Sequence, residues 1–239
     1  MKIGFLLLVI FSFVAMLAAD TTISYGAKLG FNLAQHYGTK VDEDDFGVET
    51  GMRPGLSAGA WLDLGILPNF TLGYELLYTM KGSREKITIK KMEIDGEIQE
   101  LSKPAVMNVK YHLDYLELPI LLKVKVVDKG TWSFNAITGT AMGLKIKGWH
   151  QLDGMVYFPS GDSLYSEIPI FEESRLEEVN MFDYSFIYGS EFKLHSRIPL
   201  SVEFRFTLGW DYLALPTYQF FEPAQLRNQT YSLMLGTKF

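Results

Sequence analysis

The strongest constraint on the fold of this 239-residue chain is a two-residue periodicity that recurs in eight segments. Apolar or aromatic side chains occupy every second position of a segment, and polar residues or glycine lie between them. Because successive side chains of a β-strand point to opposite faces, the pattern predicts strands that each have one apolar face. The predicted strands are residues 25–33, 56–62, 70–80, 109–126, 132–146, 182–194, 200–212 and 229–239.

The fourth segment changes phase along its length. Its apolar residues lie at odd positions up to Tyr115 and at even positions from Leu116 onward. One extra residue in a strand shifts the alternation by one position. The sequence therefore predicts a β-bulge at Tyr115–Leu116.

The connections between the predicted strands alternate in length. The short ones contain Pro, Gly or Asp and are residues 64–69, 127–130 and 195–199. The long ones are residues 38–52, 82–108, 148–181 and 213–227. Outer-membrane barrels have short turns on the periplasmic side and long loops outside the cell. In the second long connection, Asp95-Gly96 lies between isoleucine-containing stretches and is a type I′ turn signal, so we expect a hairpin there.

Volume decides which face of the strands points outward. A soluble eight-stranded barrel has its apolar face inside, but the interior has room only for close-packed side chains. The chain is 14% aromatic, and an inward face carrying Phe204, Phe206 and Trp210 would overfill that space. In lipid the backbone polar groups must all be paired within the protein, so the first and last strands must also pair. The sequence thus predicts an all-β fold, an eight-stranded antiparallel up-and-down transmembrane β-barrel with long external loops.

The other face of the strands predicts a lumen of paired charges. Its candidate network consists of Lys28, Glu75, Glu117, Lys123, Glu191, Lys193, Glu203 and Arg205. If the sixth and seventh segments pair around their short turn, Glu191 lies opposite Glu203, and Lys193 and Arg205 are diagonal neighbours. Two adjacent carboxylates in a closed lumen need those cations, so we interpret this quartet as a structural plug.

The N-terminal residues 1–19 have the features of a secretory signal peptide. Lys2 precedes an apolar run, and Ala18-Ala19 supplies small residues before Asp20. An uncleaved transmembrane anchor is the alternative interpretation. The predicted organisation is a signal peptide over 1–19 and a barrel domain over 20–239, exported to the cell outer membrane. The chain has no Cys, which excludes disulfides, thiolate metal sites and a Cys nucleophile.

Several functional classes are disfavoured by the residues present. A net charge of −6 argues against nucleic acid as a partner. An enzyme of the hydrolase or acyltransferase type would have to draw on His36, His112 and His150, on Asp114 or Asp153, and on Ser160 or Ser163. No spaced catalytic motif accompanies these residues, so we predict no catalytic, cofactor-binding or metal-binding residue. The acidic run Asp42–Asp45 is interpreted as a solvated loop.

Short stretches of the sequence resemble one protein family. Residues 115–123 (YLELPILLK) are similar to a strand signature of the PorT-like outer-membrane β-barrel family, often called the porin family. Further similarities occur at residues 25–32, 182–184, 204–209 and 233–239, so the resemblance covers essentially the whole chain after the signal peptide. The last strand also resembles the signal by which the barrel-assembly machinery recognises its substrates, through Tyr231, Leu233, Leu235 and Phe239, although Thr237 stands where an aromatic residue is frequent. The resemblance implies a fold and a location, with outer-membrane lipid and the assembly machinery as partners, and no single activity.

We therefore expect a non-enzymatic structural or interaction barrel whose external loops contact a ligand or an envelope protein. One alternative, suggested by the family name, is an accessory component of a protein secretion or transport apparatus. A second alternative is a lipid-modifying outer-membrane enzyme.

Overall fold

The computed structural model describes residues 22–38, 46–94, 97–160, 164–176, 179–213 and 226–239. The predicted signal peptide at 1–19 and the acidic run at 42–45 lie outside the described residues. Within the described ranges, no helix is long and apolar enough to span a membrane.

Ten strands contain most of the described residues. They are β1 (Thr22–Gly38), β2 (Phe46–Gly51), β3 (Arg53–Leu67), β4 (Phe70–Ile94), β5 (Glu97–Asp128), β6 (Trp132–Ser160), β7 (Leu164–Arg175), β8 (Phe182–Leu194), β9 (Leu200–Gly209) and β10 (Leu226–Lys238). The eight predicted strands correspond to all of these except β2 and β7, which lie in two of the predicted long connections.

Eight of the strands form a closed ring. Each pairs antiparallel with its neighbours in the order β1, β3, β4, β5, β6, β8, β9, β10 and back to β1. The closing ladder joins β1 to β10 from Gly26↔Lys238 to Gly38↔Leu226. The predicted eight-stranded antiparallel barrel is confirmed, and so is the pairing of its first and last strands.

The outward-facing positions of the ring form an apolar band. Leu29, Phe204 and Leu235 expose 60%, 51% and 63% of their surface, far more than soluble cores allow. On β5 the band runs from Leu116 to Val126, which at about 3.3 Å per residue and a tilt of about 40° gives a height of roughly 25 Å. That height is the thickness of the apolar band of an outer-membrane barrel.

Above this band the barrel continues into water. We call this part the external extension; it consists of residues 82–94 of β4, 97–114 of β5 and 147–160 of β6, with β2 paired to β4 and β7 paired to β6. Its interior is an apolar cluster formed by Ile87, Val109, Tyr111, Leu113, Tyr115, Leu152, Leu176, Val179 and Leu213. Its outer wall carries polar residues such as Arg84, Lys86 and Asp153. The polarity of the two faces therefore reverses where the surrounding solvent changes from lipid to water.

The prediction of a β-bulge at Tyr115–Leu116 is wrong, and the reversal of polarity explains the pattern that suggested it. In β5 the odd positions face inward both above and below Tyr115, so its phase does not change there. The register instead slips in β6, where Asp114 pairs with Lys147 and Tyr115 pairs with Lys145, so Ile146 is the extra residue. The apolar residues of β5 move from odd to even positions because the medium outside the barrel changes from water to lipid. The β-bulge lies at the same height in the neighbouring strand, β6.

Two of the long connections are hairpins. Ile94 pairs with Glu97 on either side of Asp95-Gly96, as the turn signal predicted. In the third long connection, β6 continues to Ser160 and pairs with β7 from Ser160↔Leu164 to Trp149↔Arg175. Gly82 lies where β4 enters the extension, with φ +125°, and a Cβ there would come within 2.0 Å of the Tyr111 carbonyl oxygen. Only glycine fits this bend.

The absence of Cys allows the lipid boundary to be mapped with single-cysteine variants. In intact cells we expect a membrane-impermeant maleimide to label Asn108→Cys and Lys110→Cys in the extension, and to leave Leu118→Cys and Leu122→Cys in the band unlabelled, because lipid shields those thiols. Labelling of all four variants after denaturation is the control. Equal labelling of the two pairs in intact cells would contradict the boundary.

Candidate functional site

The lumen nearest the short turns holds a ring of four charges. Lys123 Nζ lies 3.0 Å from Asp63 Oδ1 and 3.3 Å from Glu191 Oε1. Lys193 Nζ lies 3.1 Å from Asp63 Oδ2 and 3.2 Å from Glu191 Oε2. Asn135 donates a further hydrogen bond of 2.9 Å to Glu191. We call Asp63, Lys123, Glu191 and Lys193 the lower ring; it is electrically neutral and joins β3, β5 and β8 across the lumen.

A second ring of four charges lies above the first. Lys28 Nζ contacts Glu75 at 2.6 Å and Glu203 at 2.8 Å. Arg205 donates two parallel hydrogen bonds to Glu75, at 2.6 and 2.7 Å, and its Nε donates to Glu203. This middle ring joins β1, β4 and β9, and each cation again contacts both carboxylates. Since an unpaired buried charge is very costly, the alternation of signs is what allows these side chains to be buried.

A third cluster lies at the top of the lumen. Lys81 Nζ contacts Glu117 at 2.6 Å and Asp183 at 2.8 Å, and Asn228 donates to Asp183 at 3.0 Å. The ammonium group also lies 5.2 Å from the centre of the Tyr115 ring, within range of a cation–π interaction. Tyr115 belongs to the apolar interior of the extension, so this upper cluster connects the charged lumen to the apolar layer above it.

The structure places all eight predicted network residues in the lumen. Glu191 lies opposite Glu203, as the predicted pairing of strands required. The predicted quartet of Glu191, Lys193, Glu203 and Arg205 is, however, divided between the lower and middle rings. The reason is that each carboxylate pairs with the cation two residues along its own strand, Glu191 with Lys193 and Glu203 with Arg205. The second cation of each comes from a strand that is not a neighbour, Lys123 for Glu191 and Lys28 for Glu203.

Three lumen charges were missed by the sequence analysis, namely Asp63, Lys81 and Asp183. Each lies at an alternate polar position of a predicted strand, which is the signal that could have identified it. They were missed because their partners come from strands far away in the sequence. The contact between Lys81 and Asp183, for example, joins residues separated by 102 positions.

The lumen is filled by these side chains. A cavity lined by Ser57, Thr79, Arg205 and Ser232, among others, has a volume of about 10 Å³, which is room for at most one water. Above it, Lys145 donates to the carbonyl groups of Leu176 (2.8 Å) and Val179 and so connects these two residues to β6. Leu176 and Val179 are themselves buried in the apolar interior of the extension.

The four residues of the predicted assembly signal lie on the outer face of β10. Leu233 pairs with Phe31 and Leu235 pairs with Leu29, so this part of the strand lies at the closing seam of the barrel. Phe239 is 72% exposed at the end of the chain, and Tyr231 lies beside Phe206, with ring centres 5.1 Å apart. Recognition of this strand by the assembly machinery stays a prediction.

The histidines considered for an enzyme site are distributed over different environments. His36 is buried in the extension, with Ser83 Oγ at 2.8 Å and Glu85 Oε1 at 3.3 Å from the same ring nitrogen, Nδ1. A nucleophile–base–acid arrangement needs the hydroxyl and the carboxylate on opposite ring nitrogens. His150 contacts Ser174 through Oγ, and the side chains of Ser160 and Ser163 lie outside the described residues. Within the described ranges, no group of three or more His, Asp or Glu residues is arranged to hold a metal ion.

His112 lies on the outer wall, four residues beyond the last lipid-facing position of β5. Its ring stacks on Trp149, with centres 3.7 Å apart and an angle of 7° between the planes. Partial burial, and after it the positive charges of Arg53, Lys110, Lys147 and Arg84, together lower the pKa of His112 to about 4. The imidazole is therefore neutral at pH 7.

A cleft opens on the same wall. Its volume is about 360 Å³, and its lining includes Arg84, Lys86 and Lys110 together with Glu49 and Asp153. Asn108 and Thr50 add neutral hydrogen-bonding groups. A cleft of this size and composition suits a small polar ligand better than an apolar one.

A closed barrel with an apolar outer band and a lumen of paired charges defines an integral β-barrel protein of an outer membrane. Residues 18–210 match the protein family described as outer membrane protein beta-barrel domain. The chain belongs to this family, and its location is the cell outer membrane.

Solved structures with a similar fold have low sequence identity to the chain. Ail, the attachment invasion locus protein of Yersinia pestis, is 10% identical, with 90% of this chain and 98% of that chain covered and a TM-score of 0.38. Neisserial surface protein A is 9% identical, with coverages of 91% and 99% and a TM-score of 0.40. The outer membrane protease OmpT from Escherichia coli is 9% identical, with coverages of 93% and 97% and a TM-score of 0.44. No curated protein matches the chain.

Removal of the Arg205 guanidinium is expected to destabilise the barrel. Arg205→Leu leaves Glu75 and Glu203 with Lys28 as their shared cation, and breaking a buried ion pair costs about 3–5 kcal/mol. On gels of samples heated stepwise in SDS, the folded band should disappear at a markedly lower temperature. Arg197→Leu, the same substitution in an exposed turn, is the matched control. An unchanged transition for Arg205→Leu would contradict a stabilising middle ring.

The pKa of His112 can be measured by NMR titration of its imidazole in micelles. We expect a value about 4, which rises in Lys110→Gln because a neighbouring positive charge is removed, and which is unaffected by Lys129→Gln in a distant turn. Since the unfolded value is about 6.5, the unfolded chain binds more protons between these two pH values. Stability should therefore fall as the pH is lowered from about 6.5 to about 4. Titration at the ordinary value would show that neither burial nor the cations lower the pKa of this ring.

Proposed function

We propose that this protein is a non-enzymatic, non-conducting barrel that anchors a rigid external extension, whose outer wall contacts a ligand or partner outside the cell. The observation that carries the proposal is the filled interior, which runs from the lower ring to the apolar cluster of the extension. A barrel filled in this way is suited to holding its outer surface in a fixed position. It is poorly suited to passing solutes.

The rigidity of the extension supports an interaction role. Its strands continue the ladders of the barrel strands past the register slip at Ile146, and its apolar interior contains side chains as completely buried as Val109, Leu113 and Tyr115. Residues on the outer wall, in contrast, face water and are polar or charged. Binding surfaces on a pre-formed scaffold lose little conformational entropy when a ligand binds.

A non-enzymatic role is favoured by the arrangement of the polar groups. The cluster of His36, Ser83 and Glu85 is enclosed in the extension, and its hydroxyl and carboxylate share one ring nitrogen. The four carboxylates of the lower and middle rings are each bound to two cations, and those of the upper cluster, Glu117 and Asp183, are both bound to Lys81. A lipid-modifying enzyme remains the contrasting hypothesis that turnover measurements decide.

Membership of the PorT-like group, and with it a role as an accessory component of a secretion or transport apparatus, is a second candidate. It is supported by the resemblance of residues 115–123 to that group. Leu116, Leu118 and Leu122 are exposed on the lipid side of this stretch, whereas Glu117 and Lys123 are buried in the lumen. The partners we propose are outer-membrane lipid at the apolar band, the barrel-assembly machinery at β10, and an external ligand or envelope protein at the extension, without nucleic acid.

Planar-bilayer recordings and lipid incubation test the proposal together. We expect the purified full-length barrel to give no discrete current steps, while a porin in the same bilayer gives them as the positive control. We also expect no hydrolysis or acyl transfer when the barrel is incubated with outer-membrane phospholipids and glycolipids and the products are analysed by mass spectrometry. Reproducible current steps would overturn the non-conducting role, and lipid turnover that depends on the folded barrel would overturn the non-enzymatic one.

A further inference from the structure

Three cations lie on the outer wall of the barrel immediately above the apolar band. In the paired strands, Lys147 lies opposite Asp114 at the edge of the band, and Arg84 lies opposite Lys110 two rows further out. The His112–Trp149 stack occupies the row between them. We call Arg84, Lys110 and Lys147, with this stack, the boundary patch.

The height of the boundary patch matches the polar layer of a membrane. Each row of same-facing residues adds two residues, or about 6.6 Å along a strand and about 5 Å along the barrel axis at the usual tilt. The three cations therefore lie from about 0 to 10 Å above the hydrocarbon edge. The headgroup layer of a bilayer occupies roughly this interval, and long basic side chains can reach down into it.

The cations of the boundary patch are not held in ion pairs by any residue that the structure describes, although Glu49, Glu85 and Asp153 line the adjoining cleft. Among the described residues, no acidic side chain forms an ion pair within 4.0 Å of Arg84, Lys110 or Lys147. The nearest acid across the ladder, Asp114, accepts a hydrogen bond of 2.8 Å from the Tyr78 hydroxyl group. Burial lowers the pKa of His112 most, and Arg53, Lys110, Lys147 and Arg84 act in the same direction, so the three cations of the patch lie near one ring.

The cleft above the boundary patch adds a place for a polar group. Arg84 and Lys110 belong to both features, so a ligand phosphate bound by these cations lies at the mouth of the cleft. The lining contains both donors and acceptors, including Asn108, Thr50 and Asp153, which suits the hydroxyl groups of a sugar. Directly below the patch, Leu116, Leu118 and Ile146 are exposed on the lipid side, where the acyl chains of a lipid ligand would lie.

We propose that the boundary patch and the adjoining cleft bind the phosphorylated sugar headgroup of a glycolipid in the outer leaflet of the membrane. The cations bind the phosphate groups, the cleft holds the sugar, and the apolar band contacts the acyl chains. This inference rests on the proposed function, in which the outer wall of the extension contacts an external ligand, and it specifies the chemical class of that ligand.

The test uses the purified full-length barrel, a lipid A that carries two phosphates, and native mass spectrometry in detergent. We expect the wild type to bind this lipid and the triple variant Arg84→Gln, Lys110→Gln, Lys147→Gln to bind it at least tenfold more weakly, because each basic group near a membrane surface contributes to anion binding. Lys125→Gln, Lys129→Gln, Arg197→Gln carries the same charge change at the opposite end of the barrel and should bind as the wild type does. The lipid without phosphates should bind to the wild type as weakly as the diphosphorylated lipid binds to the triple variant.

Two further measurements show whether a loss of binding comes from misfolding, and whether the phosphate that binds belongs to a membrane lipid or to a soluble molecule. Lys110→Arg, Lys147→Arg preserves the charge and should retain binding, and the heat-induced gel transition of every variant should equal that of the wild type. Soluble glucosamine 1-phosphate should bind much more weakly than the lipid; equal affinity would overturn the assignment to a membrane lipid. Undiminished lipid binding by the folded triple variant would overturn the site itself. Neither outcome alters the current or turnover measurements, so failure of this inference is distinguishable from failure of the proposed function.

Discussion

The pairing of every backbone polar group in a medium without water is the constraint on which this structure depends. In lipid an unpaired N–H or C=O group costs several kcal/mol, so a sheet can cross the membrane only when it has no free edge. The ladder between β1 and β10 removes the last edge. Closure of eight strands then fixes the bore of the barrel, and the bore in turn decides which side chains can be placed inside.

Charge pairing solves the problem that closure creates. A narrow lumen surrounded by lipid cannot hold isolated ions, and the lower and middle rings place each cation between two carboxylates. The contacts cross the lumen, so they connect strands that share no backbone hydrogen bonds, such as β4 and β9. The same interactions that make burial of the charges tolerable also occupy the lumen with side chains.

The outer surface is organised by the change of solvent at the edge of the membrane. Below that edge the strands are apolar outside and charged inside, and above it the arrangement is reversed. Gly82, the extra residue Ile146 and the boundary patch all occur within a few residues of this line. Cations without ion-pair partners among the described residues lie at the height of the lipid headgroups, where they can attract an anionic ligand.

The sequence by itself determined the eight strands, their antiparallel order, the closing pair and the lipid-facing side, because a two-residue period and the limited volume of a small barrel leave one arrangement. It also placed eight charged side chains in the lumen. The tertiary structure decided the partners of those charges: Glu191 and Glu203 belong to different rings, Asp63 completes the lower ring, and Lys81 and Asp183 form the upper cluster with Glu117. It also decided that Tyr111, Leu113 and Tyr115 form an interior above the membrane. The physical reason is that a local pattern records which residues share a face, whereas ion pairs across a lumen and the position of the solvent boundary depend on strands that are distant in the sequence.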